Sequence, residues 1–365
     1  MRVNWRHTRG TTNTFSVLSA ALEQAGWRLH ETDRPAGEVT CYSLNVANEG
    51  ELLAEIESAD CTTIAGGPSA TGRWRDVART ADYVVVGEGE RTLPLLLDAI
   101  EAGSLKPIPG TATARDGLVL PGHAVLLDAF PPFGPRRGYI ECSRGCPHDC
   151  AYCQTPRLFP GGMRHRSIDA CAEAARALTD VRFVTPNALA YGSGGRTPRL
   201  EKVRRLLTAV TRKGARVWFG TFPSEVRPEF VTDEALDLVR EFCANSRVHL
   251  GIQSGSDRVL GFIGRGHTLD DGLTAVDRIR DHGLEPAVDV ILGFPFETDQ
   301  EQEATLDLVR HLAARGCRIH AHRFTPLPGT PLAGHPSRPI LPAVYRVFGR
   351  LALEGRLTGS VLERG

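Results

Sequence analysis

Two hydrophobic rhythms alternate along the chain. Short apolar runs such as VTCYSL (39–44), CTTIAGG (61–67) and ADYVVVGEGE (81–90) have the length of buried strands. Between them, FSVLSAALEQAG (15–26), EGELLAEIESA (49–59) and RTLPLLLDAIEAG (91–103) space apolar residues three and four apart, as helices do. Leu52, Leu53 and Ile56 share one such face, and Gly26 is a suitable helix stop. With MRVNW as an opening strand, residues 1–104 predict a parallel sheet covered on both faces. Sheets of that kind hold ligands beyond the carboxyl ends of their strands.

The rhythm breaks at 105–138, which is rich in Pro and Gly and reads as a linker with a possible hairpin around ARDGLVL. It resumes at 139. Strand candidates are GYIEC, VRFVT, ARVWFG, RVHLGIQ, AVDVILGF and RIHAHRF, separated by helices at 167–178, 199–213, 233–244, 268–282 and 299–315. Asp233 and Thr268 are placed as N-caps. This predicts a partial barrel over 139–335 with its chemistry at the strand C-termini, then a helical tail over 336–365.

Composition changes this picture little. Lys+Arg and Asp+Glu both number 43, so charge gives no reason to expect a nucleic acid or membrane partner. No apolar run reaches the roughly 18 residues of a membrane span, and the N-terminus lacks the apolar core of a signal peptide; the expected location is the cytoplasm.

The cysteines change it more. Of nine, Cys41, Cys61, Cys171, Cys243 and Cys317 sit singly, as small buried residues do. The others crowd into ECSRGCPHDCAYCQ (141–154). Cys146, Cys150 and Cys153 follow the first strand of the second half with x3 and x2 spacing. Three close thiolates suit three irons of a cubic cluster, leaving the fourth iron open. The alternative is structural zinc with Cys142 as fourth ligand, although zinc sites usually draw pairs of ligands from separated segments.

RGCPHDCAYC resembles the signature of the radical S-adenosylmethionine (SAM) enzymes. The resemblance implies that Cys146, Cys150 and Cys153 ligate a 4Fe–4S cluster, with Cys142 a bystander and Tyr152 near the adenine of SAM. GIQSGSDRVLGFIGRGHT (251–268) and DVILGFPFETDQE (289–301) resemble strand-end segments of the cobalamin-type members, which would set Gln253, Ser254, Arg265, Gly293 and Pro295 around SAM. The Gly-Gly-Glu element common after the second strand is replaced by TPNALAYGSGG (185–195), where Asn187 and Ser193 are the polar candidates. The first half resembles the cobalamin-binding domain fused ahead of many such enzymes. Trp5, His7, Ser43, Gly66, Gly67, Pro68, Gly87, Glu88 and Gly89 would meet the cofactor, with the adjoining RGTTNTFS loop lining the corrin. His-x-x-Gly is present at His7–Gly10, but Trp5 stands where cobalt-ligating proteins often carry aspartate.

The implied fold class is α/β, a Rossmann-like (flavodoxin-like) cobalamin domain followed by a partial (β/α)6 TIM-type radical SAM barrel. The implied activity is C-methylation of an unactivated sp3 carbon, through a 5′-deoxyadenosyl radical and methylcobalamin. Within that class the chain most resembles the archaeal, methanogen-type glutamine C-methyltransferases that modify the methyl-coenzyme M reductase α subunit. That implies a peptide or protein substrate and an electron donor. The rival readings are a non-methylating cobalamin radical enzyme, an oxidase or cyclase, and, more distantly, a zinc-stabilised binding protein. His320 and His322 share one face of the last barrel strand, and Glu225, Arg227 and Arg323 are further polar candidates.

Overall fold

The computed structural model describes residues 1–362 apart from 105, 123 and 135. The first residue assigned to the linker and the last three of the tail therefore lie outside the described residues. The chain divides into two compact units. One comprises Met1–Gly145, Gln154–Ala174 and Leu327–Thr330; the other comprises Cys146–Cys153, Ala175–Pro326 and the chain from Pro331 onward.

The first unit is built on β1 (Val3–Arg6), β2 (Leu29–Thr32), β3 (Val39–Ser43), β4 (Thr62–Gly66), β5 (Tyr83–Val85), β6 (Thr111–Thr113) and β7 (Gly117–Leu118), in the sheet order β2-β1-β3-β4-β5-β6-β7. The first five are parallel. Helices α1 (Thr12–Gln24), α2 (Glu49–Glu57), α3 (Gly67–Gly72), α4 (Trp74–Val77) and α5 (Gly89–Glu101) connect them. One apolar cluster joins Val3, Trp5, Phe15, Leu22 and Leu96; a second joins Tyr42, Leu52, Ile56 and Val77. Residues 111–118 form a hairpin, as the ARDGLVL stretch of the linker suggested, and it adds antiparallel to β5 at the edge of the sheet, which was not expected. Strands two and three residues long leave no periodicity to read. The unit also holds β8 (Ile140–Glu141), β9 (Ser143–Arg144), α6 (Thr155–Leu158), β10 (Arg164–His165) and most of α7 (Ile168–Ala175).

The second unit alternates β11 (Asp180–Val184), α8 (Leu200–Val210), β12 (Arg216–Trp218), α9 (Asp233–Phe242), β13 (Arg247–Gln253), α10 (Asp257–Phe262), α11 (Leu269–Asp281), β14 (Glu285–Leu292), α12 (Asp299–Ala314), β15 (Arg318–Arg323), α13 (Pro342–Leu353) and β16 (Leu357–Thr358). All strand pairs here are parallel. Thr268 caps α11 in a full capping box, as expected. The α9 cap is Thr232, not Asp233: its hydroxyl accepts from Ala235 N, and Asp233 becomes the first helical residue.

Alternation assigns the two faces of β13–β15. Cβ on Gly272 of α11 would come within 2.9 Å of Ile252, so the Leu250/Ile252 face is the one covered by helix. Through strand register, Val288, Val290, Ile319 and Ala321 share that side. His249, Gly251, Asp289, His320 and His322 lie on the opposite, inner face. Among the described residues no helix is long and apolar enough to cross a membrane.

Candidate cofactor and substrate sites

Gly145 precedes the cysteine loop with φ +82°, and a side chain there would strike the Gly162 carbonyl; only glycine fits. The loop 146–153 is then pinned at several points. Ala151 N donates to Ile263 O (2.9 Å), Cys153 N donates to Cys150 O (3.0 Å), and Arg196 donates to Pro147 O (2.9 Å). Cys150 Sγ lies 3.6 Å from Gly264 O. Cys150 is buried, whereas Cys146 and Cys153 are half-buried, and no disulfide joins them. Burial raises the Cys146 thiol above its ordinary pKa; iron would reverse that, since a coordinated thiol is held deprotonated. A cubic cluster takes each thiolate on a different iron, so its ligands surround it. Among the described residues no three His, Cys, Asp or Glu side chains converge on one point as ligands of a single ion. The triad on one pinned, partly exposed loop fits the cluster. Cys142 stands apart: it is fully buried in the first unit, its pKa driven well up by burial and then by Cys171.

Tyr152 and Arg265 form the centre of the neighbouring site. Arg265 donates to Gly251 O (2.6 Å), to the Tyr152 hydroxyl (3.3 Å) and to His267 Nε2 (3.2 Å). Burial lowers the Arg265 pKa, but the phenol of Tyr152 and the thiol of Cys150 outweigh it, so the guanidinium stays charged. The Tyr152 ring packs 6.0 Å from Phe294, between Gly293 and Pro295. Gln253, at φ +80° the one non-glycine with positive φ among the described residues, holds its amide over Gly251 beside Arg265. Tyr152, Gln253, Arg265 and the 293–295 turn are thus brought together.

The other polar candidates separate. Asn187 is 1 % exposed, and neither amide atom has a partner among the described residues. Ser193 instead closes its own turn, donating to Ala190 O (2.9 Å) and accepting from Gly195 N (3.0 Å). Ser254 lies 3.3 Å from Thr305 Oγ1 and accepts from Ser256 N, which commits its hydroxyl to the start of α10. Sequence reading passed over Asp289, which forms a hydrogen-bonded carboxyl pair with Glu225. Burial, followed by the partner's charge, raises the Asp289 pKa, and burial raises that of Glu225 too. A carboxylate inside AVDVILGF was the available signal.

In the first unit, Ser43 and Gly66 are register partners on β3 and β4. Cβ on Gly67 (φ +90°) would fall 2.8 Å from Leu44 O and 2.9 Å from Ser43 Oγ. Pro68 opens α3. His7 Nδ1 lies 2.9 Å from Glu31, and Asn48 ties Thr8 Oγ1 (3.1 Å) to Ser43 O (3.0 Å), so the His7 loop and the Ser43 edge are one assembly. Two expectations need correcting. Trp5 is a core residue packed on Phe15, because alternation along β1 turns Val3 and Trp5 inward. Glu88, between Gly87 and Gly89, is taken by protein: it pairs with Arg144 (2.7 Å) and Arg164 (3.0 Å).

Residues 140–309 match the model of the radical SAM superfamily. A tRNA-2-methylthio-N(6)-dimethylallyladenosine synthase of Corynebacterium efficiens is 30 % identical over 93 % of this chain and 68 % of its own length. The chain belongs to the radical SAM superfamily. An uncharacterized protein of Methanopyrus kandleri is 27 % identical, over 75 % of this chain and 62 % of that one. The chain thus spans about two thirds of the length of these two relatives. Among solved structures, the radical SAM methyltransferase TsrM of Kitasatospora setae, seen with cobalamin and a 4Fe–4S cluster, superposes with TM-score 0.68 at 17 % identity, over 91 % of this chain and 73 % of its own. The cobalamin-dependent SAM radical enzyme OxsB, with aqua-cobalamin and SAM, gives 0.66 at 15 %, over 84 % and 51 %. The fold class is therefore as expected: a Rossmann-like domain followed by a radical SAM barrel, in a radical SAM enzyme.

Proposed function

We propose that this radical SAM enzyme is a cobalamin-dependent C-methyltransferase. The observation that carries the reading is the pinned Cys146–Cys153 loop, with Tyr152 held by Arg265, in a chain sharing its fold over 91 % of its length with a methyltransferase that binds cobalamin and a cluster. When bound, the cluster with SAM would supply a hydrogen-abstracting radical and cobalamin would carry the methyl group. Cys146, Cys150 and Cys153 would hold the cluster. Tyr152, Gln253, Arg265 and the Gly293–Pro295 turn would seat SAM, and the unpartnered Asn187 amide is suited to its amino-acid end. Ser43, Gly66, Gly67 and the His7 loop would receive cobalamin. The substrate to assay first is a peptide carrying glutamine, after the methyl-coenzyme M reductase α subunit, with an external electron donor; the cytoplasm keeps such thiols reduced.

The test is anaerobic reconstitution with iron, sulfide and hydroxocobalamin, followed by metal analysis and turnover with SAM. The reading expects iron and cobalt bound together, with both 5′-deoxyadenosine and S-adenosylhomocysteine formed. Iron without cobalt removes the methylation mechanism; deoxyadenosine alone points to an oxidase or cyclase. The 30 % identity to a tRNA methylthiotransferase favours a second reading, methylthiolation of RNA. Product mass separates the two: one methylene gained against one methylene plus sulfur.

A further inference from the structure

The inner face of β13–β15 carries groups that cofactor binding leaves unused. One row across the strands sets Gly251, Asp289 and His320 side by side, and His320 Nδ1 meets Thr358 Oγ1 of β16 at 2.9 Å. His322 stands one step further, its ring edge-on to His320 with centroids 4.3 Å apart. His249 lies one step earlier. Phe222 N donates to His249 Nδ1 (3.3 Å), so the proton of the neutral ring is on Nε2. That N–H is buried and has no partner among the described residues. Burial holds both His249 and His322 neutral, lowering their pKa to about 4. Beside them the buried Glu225–Asp289 carboxyl pair offers acceptor oxygens.

The charges on this face restrict what it can take. Arg247 and Arg318, at its N-terminal end, both bind Glu285 at 3.1 Å. Arg265 is spent on Gly251 O, the Tyr152 hydroxyl and His267. An anionic group would meet the carboxyl pair with these cations already engaged. A neutral group with an acceptor would answer the buried His249 N–H, a donor costly to leave unsatisfied, and a donor beside it would answer the carboxyl pair. Phe222, whose backbone N–H meets the His249 ring, is 63 % exposed and adds an apolar residue at this edge.

We infer that His249, His320, His322 and the Glu225–Asp289 pair form a substrate subsite for a planar, uncharged group presenting an acceptor beside an N–H donor. Two sources carry that edge: a carboxamide, and the amidine edge of a nitrogen heteroaromatic ring. The subsite rests on the methyltransferase reading only for its place in turnover; occupancy can be measured without cofactors.

The experiment follows the imidazole signals of the full-length protein labelled with nitrogen-15 at histidine, titrated with propionamide, propionate, adenine and inorganic phosphate. The expected result is a saturable shift of the His249 and His320 signals with propionamide, adenine or both, and none with propionate or phosphate. Propionamide alone assigns a carboxamide side chain; adenine alone assigns a heteroaromatic base. H249F and H322F are each expected to weaken the response about three- to tenfold, the worth of one hydrogen bond. If H249F does not fold, H322F carries the comparison. A response to propionate or phosphate equal to that of propionamide, or no response to either neutral probe, overturns the inference. Failure of methyl transfer with the probe response intact refutes the proposed activity and leaves the subsite standing.

Discussion

Arg265 donates to the Tyr152 hydroxyl across 3.3 Å and to the carbonyl of Gly251 across 2.6 Å, joining the segment after α10 to both the cysteine loop and β13. Lysine has one donor centre and cannot span these acceptors. R265K should leave iron content unchanged, lower the unfolding free energy by about 1–3 kcal/mol, and slow 5′-deoxyadenosine formation at least about tenfold. Iron assay, urea titration and single-turnover analysis on one preparation check this together. A variant with wild-type cleavage would show that Arg265 only fills space.

The cysteines make a sharper division. Cys142 is fully buried with its thiol held protonated, so it behaves as a packed methyl-sized group. C142A should retain the full iron complement and lose roughly 1 kcal/mol of stability to a small cavity. C146A, C150A or C153A should each lose the intact cluster, visible as loss of its absorbance after reconstitution. Iron loss in C142A would return that residue to the ligand set and revive the four-thiol reading.

Much of this was legible in the sequence, for reasons that individual residues make plain. Parallel strands covered on both faces must be apolar runs, so β3, β4 and β14 announced themselves; α11 did so through Thr268 at its cap. The pairing of residues 111–118 with β5 did not, because strands that short carry no period. Positions near the site were legible where roles were not. Ser254 and Asn187 are both polar residues at strand ends, but Thr305, fifty-one positions from Ser254, takes its hydroxyl while nothing described takes the Asn187 amide. Gly67 was read as room for a ligand. The nearest obstacle is the protein's own Leu44 carbonyl, so G67A should cost about 1–3 kcal/mol even without cobalamin.

Among the described residues, Arg144 is the cation with the most carboxylate partners. It binds Glu88 at 2.7 Å, Glu90 at 2.5 Å and Glu141 at 2.6 Å, and is only 6 % exposed. Burial alone would lower its pKa, but Glu90 and Glu141 drive it far up. The arrangement fixes the 87–90 loop against the strand that leads into Gly145 and the cysteine loop. Replacing the cation strands several buried carboxylates, so R144M should destabilise by about 3–5 kcal/mol, while E90Q, which leaves Glu88 and Glu141 on the arginine, should cost less. Urea unfolding of the cofactor-free protein measures both. Equal losses would mean that Glu90 alone carries the network.

The inner-face groups predict opposing pH dependences. The pKa of Asp289 is raised in the fold, by burial and then by Glu225, so the folded chain keeps a proton that the unfolded chain releases near pH 4. Its contribution to stability is complete below about pH 4 and declines as pH rises above it, by at most about 1.4 kcal/mol per unit. His249 and His322 run the other way. Burial lowers each to about 4, so their contributions are present above the ordinary imidazole value of about 6.5 and are lost as pH falls toward 4. Between about pH 4 and 6.5 the two effects oppose each other. D289N should therefore lose stability more steeply than wild type on acidification through that window, and should be flatter above it. Urea midpoints and slopes across the range measure the difference. If D289N and wild type run parallel, Asp289 keeps no extra proton in the fold and is ionised like any other carboxylate.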